Sequence, residues 1–128
     1  TIHANTPRDA ISRIETLVLM AGMDLPLKVV RQQISSAVDL IVQQTRLKDG
    51  QRKVTQVTEV AGMEGDIIVL TDIFKFNQTG VDPDGKVLGE VNATGIRPNF
   101  TPRLEAAGYK LSADVFAPKL SSSQNPRR

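Results

Sequence analysis

The sequence predicts an α+β fold: N-terminal helices packed on a mainly antiparallel β-meander, followed by a short C-terminal helix. Three observations lead there. Apolar residues recur at helical spacing from Ile11 to Ala37. The segments beyond alternate branched aliphatics and Thr with polar residues and are divided by Gly-bearing turns, the pattern of hairpin-linked strands. One short helical pattern then remains, closed by Gly108.

Each element carries its own signals. Thr6 can cap a first helix, Pro7 suits its first position, and Asp9 places a carboxylate in the first turn. Ile11, Ile14, Leu17, Val18 and Ala21 keep helical spacing, and Gly22 supplies the stop. With Leu19 and Met20 added, the apolar residues spread around more of this helix than one face can bury. A second helix begins near Pro26 and presents Leu27, Val30, Ile34 and Ala37 on one side. Val38 and Ile41 could prolong that stripe, but "VDLIVQQTRL" is rich in branched aliphatics and runs into Lys48-Asp49-Gly50, a hairpin signal. Val38 to Leu47 and Arg52 to Ala61 are therefore expected as paired strands.

A turn at Gly62-Met63-Glu64-Gly65 leads to "DIIVLTDIFKF", the longest apolar run and the expected central strand. Gly80 to Gly85 form another turn, and "KVLGEVNATG" reads as an edge strand interrupted by Gly89. The last helix is expected from Thr101 to Ala107. Residues 110–128 form a C-terminal extension whose end, "SSSQNPRR", has the composition of a disordered tail.

Composition narrows the chemistry. A chain of 128 residues is one domain by length, and 40% hydrophobic with 23% charged residues suits an ordinary globular protein. Aromatics are scarce at 4%, so the core must be built on Val, Ile and Leu. The absence of Cys removes disulfides, thiolate chemistry and Cys-based zinc sites. No apolar run reaches the length of a membrane span, so no transmembrane segment is expected. The net charge of +2 is too small to steer the whole surface to a polyanion. Basic residues do bunch at Arg46, Lys48, Arg52 and Lys53, and they read as solvated turn charges.

Several motifs invite a function and fail on physical grounds. "GVDPDGKV" satisfies most of the phosphate-loop pattern G-x-x-x-x-G-K-[ST], yet Val87 stands where a magnesium-binding hydroxyl belongs. Asp82 and Asp84 would repel phosphate, Pro83 removes a backbone donor, and a strand follows instead of a helix. The segment is expected as a hairpin turn. The same aspartates lack the loop spacing of an EF-hand. "IIVLTD" suggests the apolar strand ending in a magnesium-binding Asp, but the run continues past Asp72 into Ile73 and Phe74, as a buried strand would. The sequons at Asn77, Asn92 and Asn99 find no support elsewhere in the chain. His3 is the single histidine. No nucleophile elbow accompanies it, and one His without Cys makes a poor metal site.

Motifs of another kind are more specific. The run from "TIHAN" through "RIETLVLMAGMDLP" and "EVAGMEGDII" to about Tyr109 closely resembles the C-terminal part of the CpaF-type ATPases. That family belongs to the bacterial type II/type IV secretion ATPase superfamily and powers Tad/Flp pilus assembly. "TIHAN" is similar to the family's His box. The resemblance implies the C-terminal part of a RecA-like P-loop ATPase domain over residues 1–109. It also implies a hexameric motor, ATP with Mg2+ in the parent protein, inner-membrane platform partners, and a cytoplasmic position peripheral to the inner membrane.

Carried over residue by residue, the resemblance makes His3 the group that approaches the terminal phosphate. Thr1, Ala4 and Asn5 stand in the same box, Arg13 stands in the "SR(I/L)E" segment that follows, and the resemblance makes Thr1, Asn5 and Arg13 candidate nucleotide-binding residues. A structural ion pair is the simpler role for Arg13. The phosphate loop and acidic motifs of the family precede the His box, so this chain is expected to be a C-terminal piece. By itself it is expected to bind no cofactor and to hydrolyse no ATP. Two rivals remain: a binding module using the basic hairpin Arg46 to Lys53 on nucleic acid, and an interaction domain docking a partner through the sheet edge or an apolar helix face. Few aromatics and little net charge argue against the first, and no specific nucleic acid is expected.

Overall fold

The computed structural model describes residues 1–119. Helix α1 (Pro7–Met20) starts as its residues dictate: Thr6 Oγ1 accepts the Asp9 N–H at 3.0 Å and Pro7 opens the first turn. It stops where Gly22 takes φ +76° and donates to Leu19 O. Helix α2 (Leu27–Ala37) follows Pro26, and Val38 turns to extended backbone, which settles where helix gives way to strand.

The sheet is an antiparallel meander in the order β1-β2-β3-β4, with β1 at Leu40–Arg46, β2 at Arg52–Glu64, β3 at Ile67–Val81 and β4 at Val87–Ala93. The α+β class and the meander agree with the sequence expectation, and β4 is an edge strand as expected. Two boundaries differ. Gly62 and Met63, expected in a turn, lie in β2 and pair with Val69 and Ile68. Gly80, expected to open a turn, lies in β3 opposite Leu88. At both places the ladder register shifts, so these glycines accompany bulges that let long strands bend without ending. The true turns are tighter: residues 64–67 with Gly65 at φ +60°, and residues 82–86.

The two faces of the sheet are covered by different helices. On one, α1 and α2 bury Ile11, Val30 and Ile34 against Val60 and Ile68, with Ile14, Val18, Ile41 and Leu70 packed around them. The margin is clasped by Arg31, whose guanidinium meets Glu15 Oε1 at 2.8 Å and Asp66 O at 3.0 Å. Arg8 adds a 2.8 Å bond to Ile68 O. Helix α1 carries more apolar residues than this face takes: Leu17, Leu19 and Met20 remain exposed.

Side chains alternate along a strand, so Glu59, between Thr58 and Val60, points to the opposite face. There the short helix α3 (Thr101–Ala106) caps the sheet. Phe100 N donates to Glu59 Oε2 at 3.4 Å, and Arg103 pairs with Asp39 at 2.8 Å. A 3-10 turn, η1 (Ala113–Phe116), was not foreseen within the extension. Its Phe116 is buried against Phe74, with ring centroids 6.1 Å apart. The tail expected at "SSSQNPRR" lies outside the described residues. No helix among the described residues is long and apolar enough to cross a membrane.

Gly89 shows why β4 breaks its apolar alternation. A Cβ there would overlap the Asn77 carbonyl oxygen and come within 2.6 Å of Phe76 Cζ. Phe76 lies across the glycine, under the Lys53 ammonium at 5.6 Å. Gly89→Ala should cost about 1–3 kcal/mol through this overpacking, read as a lower urea midpoint with unchanged slope. A variant as stable as the parent chain would show that β4 can shift away from β3.

Candidate functional site

The sequence singled out the N-terminal segment, and the fold gives it a place. Residues 1–4 join no strand ladder and lie beside the edge strand β1. The tether is Gln43, 8% exposed, whose Nε2 donates to Ala4 O at 2.9 Å and to Gln44 O at 3.1 Å. Gln43 turns inward because the alternation of β1 puts it on the same face as Ile41 and Thr45. At the other end of the segment, Pro7 and Ala10 are buried at the start of α1. The segment is thus held at two points, with His3 between them and exposed.

The space between this segment and β1 is a groove of about 590 Å³. Thr1, Ile2, His3 and Ala4 form one wall, residues 41–46 the other, and Arg52 closes the hairpin end. Its charged lining is entirely basic: Arg46 and Arg52, with His3 at the rim. Asn5 and Arg13 lie outside the groove. Arg13 is exposed on α1 and makes no ion pair among the described residues, so the structural pairing expected for it is not seen.

Arg46 and Arg52 are the residues that sequence reasoning undervalued. They face one another directly across the β1–β2 ladder, and both are exposed. Neither makes an ion pair or a side-chain hydrogen bond among the described residues. Their alignment could have been read from the short Asp-Gly hairpin. Their neighbourhood with His3 could not, because it depends on where residues 1–4 lie.

The acid of the same hairpin is engaged elsewhere. Asp49 Oδ2 accepts the Val87 N–H at 2.7 Å and Oδ1 accepts the Gln51 N–H at 2.9 Å, with Gln51 Nε2 adding a third bond. This carboxylate ties the β1–β2 turn to the start of β4. Lys53 is drawn away over Phe76.

The motifs rejected on chemical grounds are structural. "GVDPDGKV" is the β3–β4 hairpin: Asp82 Oδ1 accepts the Lys86 N–H at 2.7 Å and Gly85 takes φ +83°. Asp72 accepts from Thr58 Oγ1 at 2.7 Å within the sheet. Among the described residues no group of three His, Cys, Asp or Glu side chains gathers to hold a metal. No carboxylate lines the groove, so magnesium finds no acidic ligand there. What the arrangement offers is a set of N–H donors for an anion. Compared with known proteins, the chain matches no family model and no curated protein. The secretion-ATPase resemblance accordingly rests on the motifs themselves.

The Asp49 geometry sets a pH dependence. Its backbone bonds, first from Val87 and then from Gln51, hold its carboxyl below the ordinary carboxylate range. A carboxyl with a depressed folded-state pKa binds protons more readily when unfolded. Its stabilisation is therefore complete above its unfolded pKa, about 3.9, and is lost as pH falls through the lower folded value. Asp49→Asn should lower the urea midpoint at neutral pH, and the gap to the parent chain should narrow below about pH 4. A gap that stays constant down to acid pH would show that Asp49 does not act through its charge.

Proposed function

We propose that this chain is the C-terminal part of a pilus-assembly or secretion motor ATPase of the CpaF type, with His3 acting at the nucleotide's terminal phosphate. The observation that carries the reading is the placement of "TIHAN": an exposed imidazole at the rim of a groove whose charged lining is wholly basic. An N–H donor set facing a water-accessible groove is suited to phosphate oxygens, and an imidazole there can orient water or stabilise developing charge.

On this reading the phosphate loop and magnesium carboxylates stand upstream of Thr1 in a longer protein. This chain contributes His3, the groove and the surfaces of a hexamer that works on an inner-membrane platform from the cytoplasmic side. Thr1 and Asn5 shape the backbone around the imidazole, and Arg13, outside the groove, belongs to a surface of the assembly.

In the full-length motor, His3→Ala should lower ATP turnover by on the order of 100-fold while nucleotide affinity changes little, because binding rests on the upstream loop. Steady-state hydrolysis and equilibrium titration of the same variant separate the two effects. Wild-type turnover would overturn the reading. The chain alone should show no ATP hydrolysis and no micromolar affinity for ATP, since it carries no complete phosphate-loop motif and no magnesium-binding carboxylate in the groove. Measurable turnover by the purified chain would relocate the catalytic groups.

A further inference from the structure

The cross-strand pair Arg46–Arg52 is an arrangement that folding alone does not favour. Like charges directly opposite in an antiparallel ladder repel one another. Here neither guanidinium is neutralised by an ion pair among the described residues, although Asp49 lies in the same hairpin. That carboxylate is committed to the Val87 and Gln51 N–H groups. The repulsion therefore stands uncompensated, on the wall of a groove that also holds the chain's one histidine.

We propose that this groove is a binding site for a small polyphosphate anion, gripped by Arg46 and Arg52 with His3 at its rim. Guanidinium forks match phosphate oxygens in bidentate geometry, and the two arginines approach such a ligand from adjacent strands. A bound anion turns the unfavourable pair into a favourable one. The volume, about 590 Å³, lies within the range of small-molecule sites and exceeds what one phosphate needs, so linked phosphates fit better. The walls are set in advance, because Gln43 Nε2 donates to Ala4 O and so holds residue 4 against β1, while its bond to Gln44 O fixes the amide's own orientation. The site deepens the motor reading of the same groove, but the grip is a property of this chain alone.

The test uses the chain as it stands, with inorganic pyrophosphate as the probe. Amide NMR should show saturable shifts in residues 41–46 and His3, with a dissociation constant on the order of 1 mM at low salt. Arg46→Gln and Arg52→Gln should each weaken binding about tenfold, whereas Arg103→Gln, paired with Asp39 outside the groove, should not. Without ligand, either groove variant should melt at or above the parent temperature, because repulsion is relieved. Pyrophosphate should raise the melting temperature of the parent chain more than that of the variants.

Shifts that do not saturate, or that persist undiminished in both groove variants, overturn the proposal. So does a groove variant that melts well below the parent chain, which would make the pair a structural one. A short single-stranded oligonucleotide that binds more tightly than pyrophosphate through the same arginines would assign the hairpin to nucleic acid, and equally overturns it. Pyrophosphate binding together with wild-type turnover of the His3→Ala motor would sink the motor reading and leave the anion site standing. The reverse pair of results would do the opposite.

Discussion

The structure depends on the closure of α1 and α2 over the inner strands. Ile11, Val30 and Ile34 meet Val60 and Ile68 there, all of them buried. With so few aromatic residues, this contact must be made by branched aliphatics, and each such side chain contributes roughly 1.5–3 kcal/mol when fully buried. The ion pair of Glu15 with Arg31, extended to the Asp66 carbonyl, fixes how the helices meet the β2–β3 turn. Once α1 is seated, the position of Pro7 and Ala10 follows, and with it the path of residues 1–4 along β1. The candidate groove is a consequence of that seating.

The same sheet serves two layers. Alternation along β2 sends Val60 to the α1–α2 side and Glu59 to the side of α3 and η1. The second layer is thinner and more polar. A long hydrogen bond from Phe100, the Asp39–Arg103 pair and the Phe74–Phe116 contact hold it in place. Bulges in β2 and β3 bend the long strands, and the β1–β2 turn reaches the start of β4 through Asp49. That reach has an electrostatic consequence. The hairpin's acid forms no ion pair with Arg46 or Arg52, and both line the groove without an ion-pair partner among the described residues.

Helix α1 carries a second asymmetry. Its first half is committed to the core and to the N-terminal segment, while Leu17, Leu19 and Met20 stand exposed near its end. Exposed apolar residues gathered on one element are the kind of surface that protein partners cover. This agrees with a subunit that works within an assembly, the setting proposed for the chain.

Much of this architecture was legible in the residues. Thr6, Pro7 and Gly22 mark α1 because capping and left-handed backbone are local matters, decided within a few positions. The Asp-Gly turn and the alternation around it mark β1 and β2 for the same reason. Gly62 and Gly80 misled because glycine is permissive in turns and bulges alike, and the partner strand alone decides between them. Phe116 was invisible as a core residue, since its partner Phe74 is distant in the chain. His3 was named from the motif around it, whereas Gln43, Arg46 and Arg52 became its neighbours through packing. Local chemistry determined the elements and the candidate histidine. Contacts between residues far apart in sequence decided which charges share its groove, because a groove wall is built from segments that no local signal connects.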